Sequence, residues 1–453
     1  MPVNAGARLD RLPISSFHRR IMWLIGAGMF FDGFDIYVVA TVLGATLKSG
    51  FSTLGQSAQF VSVTFLGMMV GSFVTGFLGE RYGRRFNYQA NLAIFGLASI
   101  AAAFAPSMEV LILLRFVVGV GLGAENVVGY STLTEFIPPQ ARGKWLGGMS
   151  VFVVAGLPAT ALVGTLLIPI FGWRAMFVVG GLGALVVWYL RKALPESPRW
   201  LESVGRAEEA DAILAAIERE CSAQKTLLPP PAPARTPVHS RSLSSLLSPV
   251  LLPRMVVGAV TLIVVNTLIY GFVTWLPSFF VQEGLSIATS FGYSLIMSLG
   301  APVGSAIGAL TADSWGRRPT IVGASLATIL IGSVYPFIKD PVVLVIAGFL
   351  LTIPIYILVT LLFAIYIPEL FPTEVRLRAS GICNTFGRGA TILTPFIVVA
   401  LFRLYGVGGV LSLMIGLLIV QILVVLALGV EPKRLRLEEI GSEVRASART
   451  AKV

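Results

Sequence analysis

A chain of 453 residues in which 55% are hydrophobic and only 13% charged, with a mean hydropathy of +0.84, lies far from the balance of a soluble globular protein. The formal net charge of +11 would suit a nucleic-acid binder if it were clustered on a polar domain, but it is scattered between apolar runs, and nucleic acid is excluded as a partner on that ground. Cys221 and Cys383, the two cysteines, offer neither a disulfide nor a metal site.

In chain order, a polar N-tail over 1–20 ends in Phe17-His18-Arg19-Arg20 and leads into a first apolar run too long for a cleaved signal, which is expected to stay as an anchor. Runs of the length needed to cross a bilayer then recur at 21–47, 58–79, 87–105, 109–133, 145–168 and 173–193. After a polar stretch come 254–280, 290–312, 319–337, 341–366, 378–403 and 406–430. The runs lack the alternation of barrel strands, so twelve transmembrane helices are expected. Of the 34 Lys and Arg, 28 fall in the tails and even-numbered connections, and only Lys48, Arg174, Lys339 and Arg403 in the odd-numbered ones. That bias places both termini and the central connection in the cytoplasm of a multi-pass inner-membrane protein.

The organisation predicted is a six-helix bundle over 21–193, a cytoplasmic linker over 194–253, a second bundle over 254–430 and a C-tail over 431–453. Arg199 to Glu220 has the spacing of a surface helix, and the segment containing Leu228-Pro229-Pro230-Pro231 is expected to be extended. Gly79-Glu80-Arg81-Tyr82-Gly83-Arg84-Arg85 returns as Ala312-Asp313-Ser314-Trp315-Gly316-Arg317-Arg318, offset by 233. Glu135-Phe136-Ile137-Pro138-Pro139-Gln140-Ala141-Arg142 returns as Glu369-Leu370-Phe371-Pro372-Thr373-Glu374-Val375-Arg376, offset by 234. Two motifs with a common offset in equivalent connections indicate two parallel repeats.

These connection motifs resemble those of the major facilitator superfamily, and the resemblance covers nearly the whole chain. It implies an all-α fold of two parallel six-helix repeats with a substrate site at the midplane, working by alternating access. It also implies that Glu80 with Arg84 and Asp313 with Arg317 latch the halves on the cytoplasmic side, with Glu135, Arg142, Glu369 and Arg376 as partners in that network; the bland alternative is a set of solvated loop charges.

Ionisable groups inside spans are costly and are functional candidates by default. Asp32 and Asp35 share a face of the first span, with Asp35 ~21 Å from its cytoplasmic start. Burial and a nearby cation act on its proton affinity in opposite senses, so Asp35 can exchange a proton; Arg115 in span four is the natural cation, and structural ion pairing is the competing reading. Gly33-Phe34-Asp35 resembles the first-helix motif of proton-coupled sugar and aromatic-acid symporters, and Arg115-Phe116-Val117-Val118-Gly119-Val120-Gly121 looks like their fourth-helix motif. That resemblance implies proton coupling at Asp35 and Arg115. Asp32 is left between substrate, proton and helix-kink roles, and Glu125 is read as a second proton carrier.

Arg388 lies ~15 Å into span eleven and needs an anion, either a planar substrate carboxylate or an internal acid. The segment Ile392-Leu393-Thr394-Pro395-Phe396-Ile397 resembles the eleventh helix of organic cation and anion transporters. In that register Arg388 falls where anion carriers have an arginine, which implies an organic anion substrate. Asn266, Tyr270 and Trp275 of span seven are similar to those of niacin and aromatic-acid carriers, and Tyr37, Asn126, Tyr130, Tyr356, Asn384 and Phe386 join them as candidate contacts, against the plain alternative that they pack. Pro195-Glu196-Ser197-Pro198-Arg199-Trp200-Leu201 resembles the signature shared by sugar, organic-ion and niacin carriers. Span seven lacks a Gln-Gln pair and Val430-Glu431-Pro432 stands where sugar carriers have Pro-Glu-Thr, which favours the acid branch.

The expected function is proton-coupled symport of a small aromatic monocarboxylate by a monomer that needs no cofactor beyond the proton gradient. No phosphate-cradling loop supports an ATP-driven pump, and His18 and His239 lie outside the spans, so an enzyme is not expected. A sugar or organic-cation carrier of the same fold, or a sensor that binds without translocating, remains as the alternative.

Overall fold

The computed structural model describes residues 3–222, 248–249, 251–282, 286–371 and 376–431, and every regular element among them is helical. A short α1 (Ala5–Asp10) precedes α2 (Ser16–Lys48), α3 (Leu54–Tyr82), α4 (Arg84–Ala103), α5 (Met108–Phe136), α6 (Pro139–Phe171) and α7 (Arg174–Leu190). Then come α8 (Pro198–Ser203), α9 (Ala207–Ser222), α10 (Leu251–Gly271), α11 (Leu276–Gln282), α12 (Ile287–Ser298), α13 (Gly300–Ser314), α14 (Arg317–Val334), α15 (Pro341–Thr360), α16 (Ile367–Leu370) and α17 (Arg376–Leu428).

Ten of these helical stretches are long and apolar enough to cross a membrane. The stretch Ala379–Leu428 is two helices meeting at Gly406, whose φ of 63° and ψ of −157° no helix interior adopts. The helix α4 falls short of the others in apolar content because it carries Arg84, Arg85, Asn87, Gln89 and Asn91. Its buried amides are satisfied internally: the Thr75 hydroxyl donates to Asn87 Oδ1 at 2.6 Å, and Asn91 Nδ2 donates to the same oxygen at 3.2 Å. Paired amides of this kind stabilise helix contacts where water is absent.

The two basic connections are built alike. Gly83 and Gly316 have φ of 92° and 105°, a region that favours glycine, and each ends one helix and starts the next. The expected single surface helix over Arg199 to Glu220 is instead two helices, α8 and α9, because Gly205 at φ 81° breaks it. The Pro-rich stretch after it and the C-tail lie outside the described residues.

The described chain divides into two compact units. Unit 1 comprises 1–36, 66–156 and 174–237; unit 2 comprises 37–65, 157–173 and 238–453. In unit 1, α3 crosses α5 where Gly67 and Gly71 lie against the carbonyls of Phe116 and Val120, and a Cβ at either glycine would collide with them. In unit 2, Gly300 and Gly304 of α13 lie in the same way against the carbonyls of Phe349 and Ile353 of α15. All four positions recur at the offset of 233, so the repeat seen in two sequence motifs extends to backbone contact. Small residues let helices approach closely where no hydrophobic drive separates lipid from helix.

Unit 1 also carries a polar-faced cap. Its apolar side joins Leu9, Leu12 and Phe17 to Phe136, Leu214, Ile217 and Cys221. Its polar side ties α1 to α9: Arg8 bridges Glu218 at 2.8 Å and Arg11 bridges the same carboxylate at 2.7 Å. Glu202 accepts from the amides of Asn4 and Ala5 at the start of α1. The two arginines hold the Glu218 carboxyl below its usual range, the Arg8 hydrogen bond being the larger cause.

Candidate transport site

Asp35 sits on α2 with 1% of its side chain exposed, and Arg115 of α5 is fully buried beside it. Arg115 Nη1 donates to Asp35 Oδ2 at 2.6 Å, and the Ser99 hydroxyl of α4 donates to Oδ1 at 3.1 Å. The guanidinium also lies 5.8 Å from the centre of the Phe177 ring on α7. A short, desolvated, charge-assisted contact of this kind is strong while both partners are ionised, and adding a proton to the carboxylate removes its charge. The glycines on α2 and α6 make the site possible. Gly33 lies against the Val153 carbonyl and Gly156 against the backbone of Gly33 and Phe34, so α6 presses on the segment that carries both aspartates.

Glu125, one face further along α5, pairs with Arg191 rather than with a group of its own span. Arg191 follows α7 and reaches back into unit 1. Its Nε donates to the Leu24 carbonyl at 2.9 Å and its Nη2 to that of Ile25 at 2.7 Å. The space it occupies exists because residue 28 is glycine, where a Cβ would strike the guanidinium. Asp32 is fully buried, and neither of its carboxylate oxygens has a hydrogen-bond partner among the described residues.

The connection charges form one arrangement twice. Arg84 bridges Glu135 at 2.8 Å and donates to the Gly79 carbonyl at 2.7 Å; Arg317 bridges Glu369 at 2.9 Å. Each arginine therefore pairs with the acid of the next connection in its own unit. The side chains of Glu80, Arg142, Asp313 and Arg376 lie outside the described residues. Two further acids complete the arrangement. Glu196 accepts from the amides of Arg84 and Arg85 at 3.0 and 3.1 Å, and Glu431 accepts from those of Arg317 and Arg318 at 2.9 and 2.8 Å. A carboxylate on the first free amides of a helix satisfies orphan donors and opposes the positive end of the helix dipole. Sequence reasoning missed both roles: Glu196 entered only as part of a signature, and Val430-Glu431-Pro432 as a departure from one.

The remaining candidates fall in both units. In unit 2 the seventh apolar run is discontinuous: α10 ends at Gly271, a single turn spans Val273–Trp275, and α11 starts at Leu276. Tyr270, at the end of α10, hydrogen-bonds Arg388 of α17, and its ring meets Phe65 edge-on at 4.3 Å. Tyr356 donates its hydroxyl proton to the Tyr37 oxygen at 3.0 Å. Asn266 gives Nδ2 to its own helix and leaves Oδ1 buried without a partner; Trp275 Nε1 is likewise buried and unpartnered among the described residues. A cavity of about 400 Å³, open mouth included, is lined by Tyr37, Thr41, Leu157, Phe291, Met297 and Thr352, among others. Asn384 Nδ2 donates to its own helix at Ser380.

Phe386 does not belong with these groups. It is 56% exposed and shares a face of α17 with the exposed Leu393 and Ile397, an apolar stripe suited to lipid, so its reading as a substrate contact is corrected. In unit 1, Tyr130 shares a hydrogen bond with Ser150 at 3.2 Å, and Asn126 Nδ2 is buried without a partner among the described residues.

Comparison with known proteins bears on this arrangement. The family model described as "Sugar (and other) transporter" matches residues 21–443. The chain belongs to that family. The inner membrane metabolite transport protein YdjE of Escherichia coli (strain K12) is 37% identical to this transporter over 448 residues, 97% of this chain and 98% of that protein. The niacin transporter NiaP of Acinetobacter baylyi (strain ATCC 33305 / BD413 / ADP1) is 32% identical over 440 residues, 96% of this chain and 99% of that protein. Among solved structures, the xylose transporter XylE from E. coli in a partially occluded inward open conformation superposes with a TM-score of 0.72 at 17% identity, over 92% of this chain and 99% of that one. The fold is therefore that of the major facilitator superfamily, and this transporter is a multi-pass membrane protein.

Proposed function

We propose that this transporter is a proton-coupled symporter of a small organic anion, an aromatic monocarboxylate such as a hydroxybenzoate or nicotinate. It works as a monomer in the inner membrane, with twelve spans in two repeats, both termini cytoplasmic, and access alternating across the membrane as the paired connection charges engage and release. The observation that carries the coupling is the buried Asp35–Arg115 pair with its Ser99 donor. A proton arriving at Asp35 breaks a desolvated ion pair that otherwise locks α2 to α5, so protonation and helix movement are linked by the free energy of that pair. The substrate class rests on Arg388, whose planar fork suits a carboxylate and whose neighbour Tyr270 adds a hydroxyl and a ring. Similarity along nearly the whole chain to a protein named as a niacin transporter supports the same class.

The test is thermal unfolding of the purified protein with nicotinate, 4-hydroxybenzoate, xylose or choline, repeated with Arg388→Gln. A ligand at a hundred times its dissociation constant stabilises by about 2.7 kcal/mol, readily seen as a raised Tm. Stabilisation by the two acids alone, lost in the variant, supports the reading. Stabilisation by xylose or choline, or acid binding indifferent to Arg388, overturns the substrate class and favours the sugar or cation carrier.

A further inference from the structure

Among the described residues, the buried charges of unit 1 do not balance. Asp32, Asp35 and Glu125 set three carboxyls against the guanidiniums of Arg115 and Arg191, all within α2, α5 and the end of α7. Asp35 is matched by Arg115, and Glu125 Oε1 by Arg191. Asp32 lies where the charges of Glu125, Arg191 and Asp35 all act on it, yet both of its oxygens lack a donor, and so does Glu125 Oε2. An unpaired carboxylate in a dry interior costs several kcal/mol, and binding a proton removes that cost.

We propose that Asp32 and Glu125 share one proton above Arg191, forming a proton-binding site separate from the Asp35–Arg115 pair. The proton comes from solvent; an O–H bond forms on one carboxylate, and the interior of unit 1 becomes electrically neutral. Arg191 is the positioning residue. Its Nε and Nη2 are committed to the Leu24 and Ile25 carbonyls, which leaves Nη1 for Glu125 and prevents the guanidinium from swinging over to cover both acids. The Tyr88 ring of α4 lies 5.9 Å beneath the same guanidinium and hydrogen-bonds away from it, to the Leu194 carbonyl, so it supplies no donor to the acids. Asp32 precedes Asp35 by one helical turn, ~4.5 Å along α2, on the side where Arg191 enters. The site thus lies one helical turn from the coupling carboxylate, close enough for the two charges to act on each other.

The site goes beyond the proposed symport and stands without it, because the proton is held whether or not uptake is coupled. Infrared spectroscopy of the purified full-length protein at neutral pH reads it directly, as the carbonyl stretch of a protonated carboxylic acid that shifts in heavy water. The count of three acids to two guanidiniums expects one such group in the wild type, and none in Asp32→Asn or in Glu125→Gln, where two acids face two guanidiniums. Removing the cation instead, in Arg191→Gln, should raise the count to two. The wild-type spectrum needs no variant to fold, and a wild type with no protonated carboxyl overturns the proposal. A band that survives both Asp32→Asn and Glu125→Gln also overturns it, by placing the proton elsewhere. Nicotinate uptake into proteoliposomes with and without a proton gradient tests the symport separately: gradient-independent uptake with the band intact rejects coupling and keeps the site.

Discussion

In the first repeat Gly67 and Gly71 press on the carbonyls of Phe116 and Val120; at an offset of 233 residues, Gly300 and Gly304 press on those of Phe349 and Ile353. Arg84 pairs with Glu135 as Arg317 pairs with Glu369, and Glu196 caps α4 as Glu431 caps α14. The interiors differ. At the same offset Asp35 becomes Leu268, Arg115 becomes Gly348, and Arg388 traces back to Ala155. Unit 1 buries an ionic interior, whereas unit 2 holds a Tyr356–Tyr37 hydroxyl pair and sets Tyr270 beside Arg388. Crossings and caps are needed by any six-helix repeat that has to pack and move, so they stay duplicated. The interiors carry no such shared packing duty, so their side chains were free to diverge between the repeats.

The largest expected effect breaks this contrast at its ionic side. Arg115→Leu leaves Asp35 buried with only Ser99, and losing one partner of a buried pair costs about 3–5 kcal/mol. The unfolding midpoint in detergent should fall sharply, and Asp35→Asn added to Arg115→Leu should recover most of the loss. Arg388→Gln gives up the hydrogen bond to Tyr270 and should cost less, about 0.5–1.5 kcal/mol. Equal destabilisation by the two arginine variants would mean that unit 2 is as dependent on its charge as unit 1.

Next in size are the duplicated crossings. Gly71→Leu and Gly304→Leu each drive a side chain into a facing backbone carbonyl, and overpacking of this kind costs about 1–3 kcal/mol. The two losses should match within error in the same unfolding assay. A large loss at one and none at the other would show that the repeats share contacts without sharing the load. The caps follow: Glu196→Gln and Glu431→Gln each weaken charged hydrogen bonds to helix amides and should cost about 0.5–2 kcal/mol apiece.

Much of this architecture was readable before any coordinates, for identifiable reasons. Spans are set by hydropathy, and all twelve runs coincide with described helical segments, although the last two are joined across Gly406. The Asp35–Arg115 pair was readable because charges inside apolar runs are few and must meet. Arg191 was not. It sits at a span end that the charge rule reads as cytoplasmic, where a basic residue is accepted whether it points to water or folds back inward, and its turn toward Glu125 depends on the gap at Gly28, a tertiary fact. Glu431 was hidden because a cap requires a carboxylate at one place, and the flanking residues of the motif are free to change. Phe386 was misplaced by treating depth as sufficient, when the face of the helix decides.

The smallest effect concerns the cap on unit 1, which has no described counterpart in unit 2. Arg8 and Arg11 converge on Glu218, and that carboxyl is held below the usual range by the Arg8 hydrogen bond first. A lowered folded-state value means the acid binds its proton less readily when α1 is docked than when it is released. Docking energy from this group is therefore complete above the ordinary glutamate range, near pH 4.3, and drains away as pH falls from there through the depressed value. A nitroxide at Val3→Cys should be immobile at neutral pH and gain mobility only in strong acid, while Glu218→Gln should show acid-insensitive and higher mobility throughout. Release near neutral pH would assign the docking to another titrating group. Immobility in Glu218→Gln at every pH would assign it instead to the Glu202 contacts with the amides of Asn4 and Ala5 and to the apolar seam of Leu9 and Leu12, leaving the arginines as surface pairs worth little.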